Sequence, residues 1–432
     1  MSNSSLCSSH DSPDSDVRKS ASGAWLPYPH SPCGKVGASS PAMENREACE
    51  DLAGPSLAVS DTIDAAGFPT SCGNAALLAA SGVKMKAAPC VAALESAGAR
   101  VMGKTVCGEL GLTDVEENAH FRAPKNPLDA RLSLSGAAGG AACAVAGGES
   151  MLALASDCAG SALVPAAQCA VAALRFSAGR VSTEGMFVVG DDLETPAVLA
   201  SSIETLSTGV ETLLKHGDAK ELRIQLLVPL DLLTFLGPQA FAGFEPVLQK
   251  AQAAFGRAAF VNAAPGDLSR VFDAFERLRA RAVCARLENV LETLHPKLSP
   301  AASDQLAASF VLQQEGIDEA HQLRKATAEH FARLLSSGSA GKEGEAFPIL
   351  VFPTLPGARA QLEDDAATSV KRRTKLTTLY GLMTLAGVAM ATIPVPISTS
   401  TAGAPINITL ACMGNRELEL LQACRRLLAA FA

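Results

Sequence analysis

Apolar positions along this chain recur in two rhythms. Leu57-Ala58-Val59 and Arg100-Val101-Met102-Gly103 read as short buried strands. Between them Val91, Leu94 and Ala97 fall at helical spacing over residues 87–98, closed by Gly98. Strand and helix in alternation predict βαβ connections and an α/β fold with a mixed central sheet flanked by helices. Leu222 to Val228 reads as a further strand, stopped by Pro229, and Ile349-Leu350-Val351-Phe352-Pro353 as another. The strongest helix spans 268–294, with apolar residues every three or four positions from Leu268 to Leu294, Asp267 as its N-cap and Pro296 beyond its end. A second amphipathic segment is expected over 305–335, and a closing amphipathic helix from Glu417.

Three stretches break the rhythm. Residues 1–50, rich in Ser, Pro, Cys and His and without an apolar h-region, read as a disordered leader ahead of one domain over 51–432. Organellar targeting is an alternative, weakened by Asp11, Asp14 and Asp16, because transit segments are poor in acids. Residues 135–148 are nearly all Gly and Ala, a pattern that lets backbone approach backbone or a ligand; they match neither the dinucleotide nor the Walker fingerprint. Leu376 to Ile393 carries no charge and follows the basic run 371–375, long enough on paper to span a bilayer. Its four threonines, with Pro394 and Pro396 just after, predict instead a buried helix feeding a core strand.

Composition narrows the function classes. A net charge of −8 argues against a nucleic-acid surface, which needs a clustered basic face. Twelve cysteines form no C-x-x-C pair and the seven histidines do not cluster near them, so no metal site and no cofactor is expected. The thiols read as buried and reduced, in an intracellular protein of chloroplast or cytoplasm.

Specific motifs run from Ala58 to about residue 206. They are Ala58-Val59-Ser60-Asp61-Thr62-Ile63-Asp64-Ala65-Ala66-Gly67, then Gly103-Lys104-Thr105 through Glu109, Asn126-Pro127, Gly136-Ala137-Ala138-Gly139-Gly140, and Asp157-Cys158-Ala159-Gly160-Ser161 with Pro165-Ala166. These strings resemble the amidase signature family: its A-V-K-D-x-x-D-x-x-G, G-K-T-x-x-x-E, N-P, G-S-S-G-G and D-x-G-G-S-x-x-x-P-A. The resemblance implies an amidase-signature α/β fold and amide hydrolysis by a nucleophilic serine, a relaying second serine and a neutral lysine. By that alignment Ser161 stands at the nucleophile position, Ala137 replaces the relay serine and Ser60 replaces the lysine. Backbone N–H groups of Cys158, Ala159 and Gly160 stand at the oxyanion turn, Ala159 where the family has Gly. Asp61 and Asp157 are supporting residues.

A serine hydroxyl attacks a carbonyl only when a positioned base takes its proton. Alanine transfers no proton, and a serine at 60 lacks the reach and basicity of a lysine amine. The expectation is a catalytically impaired pseudo-amidase that binds a protein partner or a small amide-like ligand. The alternative is an active amidase for small carboxamides, with Ser161 as nucleophile and an unaligned base such as Lys84, Lys86 or Lys104, the last expected in a structural turn. Cys158 reads as a buried small residue. Within the family the strings Gly103 to Gly111 and Glu117 to His120 are similar to the amidase-like receptor subunit of the chloroplast outer-envelope import translocon and to plant indole-acetamide amidases. A link to protein import is therefore expected, although neither the membrane anchor nor the helical repeats of that receptor is found in the sequence.

Overall fold

The computed structural model describes residues 22–28, 54–215, 223–336, 346–396 and 406–431. Ten strands form one sheet: β1 (Ser56–Ser60), β2 (Arg100–Thr105), β3 (Leu152–Asp157), β4 (Ala172–Arg175), β5 (Thr195–Ala200), β6 (Arg223–Pro229), β7 (Ala259–Val261), β8 (Ala346–Pro353), β9 (Ala389–Val395) and β10 (Ile406–Cys412). Their order is β2-β1-β3-β5-β4-β9-β10-β8-β6-β7. β1 pairs parallel with β2 and β3, and β6 with β7 and β8, while the centre from β3 to β8 is antiparallel. The expected mixed sheet is present.

The helices are α1 (Ala75–Ser81), α2 (Pro89–Ser96), α3 (Gly139–Ala146), α4 (Leu163–Gln168), α5 (Ile203–Leu213), α6 (Leu230–Leu236), α7 (Pro238–Phe255), α8 (Leu268–Leu294), α9 (Pro300–Leu312), α10 (Ile317–Leu334), α11 (Ala366–Ala386) and α12 (Glu417–Ala429). Two apolar layers cover the sheet. One gathers α3, α4, α6, α8, α10 and α11; the other gathers α2, α5, α7 and α12. The central strands carry buried residues on both faces, so they read as continuous apolar runs rather than alternating ones.

α8 occupies the span its periodicity predicts, and the Asp267 carboxylate accepts the Ser269 N–H as its cap. The amphipathic segment expected over 305–335 is made of two helices, the end of α9 and the whole of α10. The chain turns at Gly316, which sits at φ +70, a left-handed conformation that glycine adopts without strain. Leu376 to Ile393 is the end of α11 running into β9, and among the described residues no helix is long and apolar enough to cross a membrane. Residues 22–28 lie within the expected leader yet pack on the domain. Leu26 N donates to Lys104 O (2.9 Å), Val106 N to Ala24 O (2.9 Å), and Trp25 Nε1 to Glu149 Oε2 (2.6 Å). The bare Cα of Gly103 makes room for Trp25, since a Cβ there would lie 3.1 Å from the indole. A strand edge with free N–H and C=O groups and apolar side chains to cover it explains the attachment.

Candidate active-site cleft

β3 delivers Asp157 to the start of the turn that carries Ser161, and α4 follows at once. The Asp157 side chain organises the turn. Oδ1 accepts the Gly160 N–H (3.0 Å), and Oδ2 accepts those of Ala162 (2.8 Å) and Leu163 (3.1 Å). Behind it Arg175 Nε lies 3.1 Å from Oδ1, with both side chains fully buried. Arg175 is one charge in the apolar strand β4, and its guanidinium also donates to Val388 O (3.1 Å) and Leu193 O (3.0 Å). That lone charge was a visible signal in the sequence. Its partner was not, because nothing local links 157 to 175.

Ser161 Oγ accepts the Cys158 N–H (3.1 Å) and donates to Ser156 O (3.4 Å). The hydroxyl is thus tied into its own turn. The Ser161 N–H goes to Cys158 O (3.3 Å). Among the described residues, the Ala159 amide is the one N–H of residues 158–162 without an acceptor. Ala159 sits at φ +52 and Gly160 at φ +86. A Cβ on Gly160 would lie 2.8 Å from ring atoms of Tyr380, so only glycine fits there. Ala159 carries left-handed strain of about 1–2 kcal/mol. Replacing it by glycine, Ala159→Gly, relieves that strain but frees the unfolded chain, which offsets about 0.4–1 kcal/mol. A net gain of about 0.5–1 kcal/mol is expected in urea unfolding; a loss would show that the methyl's packing outweighs its strain.

The Gly/Ala run answers the second strand end. Ala138 N donates to Ser161 O (3.1 Å) and Gly108 N to Ala137 O (2.9 Å), so the two loops are sewn together. A Cβ on Gly136 would lie 2.7 Å from Ser161 O, and one on Gly140 2.2 Å from Val106 O. Here the glycines serve backbone-to-backbone contact.

Ser60 ends β1, is 2% exposed, and its Oγ accepts from Thr62 Oγ1 (3.3 Å). It does not line the cleft that Ala137 and Ser161 line. Beside it Asp61 forms a fully buried ion pair with Lys104, Nζ to Oδ1 3.3 Å. Lys104 lies in β2, not in the turn expected for it, because the G-K-T string continues the strand to Thr105. Its ammonium also donates to Pro69 O and Thr70 Oγ1, each at 3.2 Å. Asp61 Oδ2 accepts from Tyr28 OH (3.0 Å), from the Ser71 N–H (3.2 Å) and hydroxyl, and from the Gly73 N–H (3.4 Å). Lys84 pairs with Asp64 at 3.6 Å; neither it nor Lys86 lines the cleft.

The cleft encloses about 440 Å³. Among the described residues its lining includes no lysine and no histidine; the cations are Arg279, Arg372 and Arg373. Glu116 and Glu194 line it too, and burial holds both carboxyls above the ordinary value of 4.5. Ser133 Oγ lies 2.8 Å from Glu116 Oε2 and 3.2 Å from Ser135 Oγ, giving a hydroxyl chain on the wall that bears Ala137. Burial, then the charge of Glu194, pushes the Cys158 thiol up to about 12, which leaves it unreactive as a nucleophile. The nine cysteines among the described residues are all free, and no group of three His, Cys, Asp or Glu there could hold a metal ion. Glu116, Glu194 and Tyr28 escaped the sequence reading because each lies outside the motif strings.

The sequence pattern of the family described as Amidase matches residues 38–225. A crystal structure of an amidase superposes with a TM-score of 0.76 at 24% identity, covering 88% of this chain and 85% of that one. Over residues 38–225 the chain is similar to the amidase signature family, and it shares the fold of a solved amidase. The chain is 26% identical over 387 residues to outer envelope protein 64, chloroplastic, of Arabidopsis thaliana, covering 82% of this chain. The chain spans 64% of that relative's length. Amidase 1 of Oryza sativa subsp. japonica is 24% identical, over 87% of this chain and 90% of its own length.

Proposed function

We propose that this is a catalytically impaired amidase-fold protein that acts as a binding module through the cleft at Ser161. One observation supports the reading: among the described residues, the cleft that holds Ser161 has no lysine or histidine in its lining; the motif resemblance adds that Ala137 replaces a relay serine. The Ser161 hydroxyl is held by its own turn. Lys104, the buried lysine of the motif region, spends its donors on Asp61, Pro69 and Thr70. A rival reading, an active amidase for small carboxamides, has one point in its favour. Glu116, with its pKa raised by burial, could accept a proton through Ser133 and Ser135.

A fluorophosphonate probe separates the two readings, because it reports an activated serine without a guess at substrate. The purified protein is expected to label no more than its Ser161→Ala control. Labelling that disappears in that control, and again in Glu116→Gln, would establish the rival. The likeness to a chloroplast outer envelope protein supports a chloroplast over a cytoplasmic address, and with it the expected link to protein import. A fluorescent fusion that stays in the cytosol would remove both.

A further inference from the structure

The charges around the cleft do not balance. Asp114 and Glu117 share Arg373, at 3.0 and 3.2 Å, and Glu276 lies 3.6 Å from Arg279. Arg372, the remaining cation of the lining, pairs with Asp364, which is not part of it. Glu116 and Glu194 are left, and among the described residues neither is in an ion pair. Glu116 accepts the Ser133 hydroxyl (2.8 Å) and the Leu134 N–H (2.7 Å). Glu194, 5% exposed, accepts the N–H groups of Val189 (2.9 Å) and Gly190 (3.0 Å) and the Ser156 hydroxyl, and the buried Arg175, which pairs with Asp157, acts on it only from beyond ion-pair distance. Such dipoles solvate a carboxylate without neutralising it, so its charge costs free energy in a partly dry cavity. Glu116 is tied through Ser133 to the segment that carries Ser135 and Ala137, and Glu194 through Ser156 to the segment that carries Cys158.

The rest of the cavity is apolar enough to hold a carbon skeleton. Val164, Phe275 and Leu376 are core residues that line it, and Leu362 and Val370 line it while 54% and 63% exposed. A metal ion fits less well than an organic cation, because among the described residues no three His, Cys, Asp or Glu side chains come together as ligands.

We propose that the cleft binds an organic cation, a primary ammonium group carried on an apolar body, with Glu116 and Glu194 as its counter-charges. The inference rests on reading the cleft as a binding site. The test titrates the full-length protein with benzylamine and with two probes of the same shape, neutral benzamide and anionic benzoate. Benzylamine is expected to bind at least about tenfold more tightly than either, the worth of one charge-assisted contact. Glu116→Gln and Glu194→Gln are each expected to weaken benzylamine about tenfold and to leave benzamide unchanged. If Glu194→Gln does not fold, Glu116→Gln decides. Benzamide or benzoate binding as tightly as benzylamine, no binding of any probe, or benzylamine binding unchanged in a folded glutamine variant would each overturn the proposal. Failure of the impaired-amidase reading shows separately, as fluorophosphonate labelling of Ser161.

Discussion

Asp157→Ala is expected to destabilise the protein by about 3–5 kcal/mol, the usual cost of removing one member of a buried ion pair. Three effects combine. Arg175 loses the counter-charge in direct contact with it and keeps only the more distant Glu194, in a core where burial already lowers its pKa against the opposing pull of Asp157. The N–H groups of Gly160, Ala162 and Leu163 lose their acceptor at the start of α4. The turn that holds Ser161 loses its anchor, so the left-handed residues 159 and 160 are no longer over-determined. Urea unfolding measures the change. Asp157→Asn keeps an acceptor oxygen in place and is expected to cost less than the alanine variant. A loss below about 1 kcal/mol for Asp157→Ala would mean that the carbonyls of Val388 and Leu193 suffice for Arg175.

Lys104→Met is expected to cost a similar amount, about 3–5 kcal/mol, while leaving probe labelling at Ser161 at background. The methionine fills the volume of the alkyl stem but strands Asp61, which is fully buried and keeps only dipoles from Tyr28, Ser71 and Gly73. Adding Asp61→Asn to Lys104→Met is expected to recover part of the loss, because a neutral amide replaces an unpaired charge. No recovery would locate the cost in the lost hydrogen bonds to Pro69 and Thr70. If Lys104 served instead as a proton acceptor for Ser161, its loss would change labelling rather than stability.

Much of the frame was legible along the chain. α8 follows its own periodicity from cap to end, and β1, β8 and α12 lie where apolar runs or amphipathic spacing put them. The exceptions share a cause. The division between α9 and α10 depends on one glycine in a left-handed turn, which the hydrophobic pattern passes over. Residues 22–28 look polar and irregular by composition, yet Trp25 and Leu26 find an open strand edge that exists only once β2 has joined the sheet.

The candidate site divides in the same way. By itself the sequence determined the motif strings, and with them the resemblance that puts Ser161 at a nucleophile position and Ala137 and Ser60 in place of a relay serine and a lysine. Those identities are local and can be read without any knowledge of the packing. Only the tertiary structure decided what surrounds them. It paired Asp157 with Arg175 across strands, committed Lys104 to Asp61, and kept Ser60 out of the cleft. It also set Glu116 and Glu194 into the lining without an ion-pair partner among the described residues. The reason is physical: the strength of a charge and the availability of a hydroxyl depend on burial and on partners distant in sequence, and neither exists until the sheet and its helices have closed.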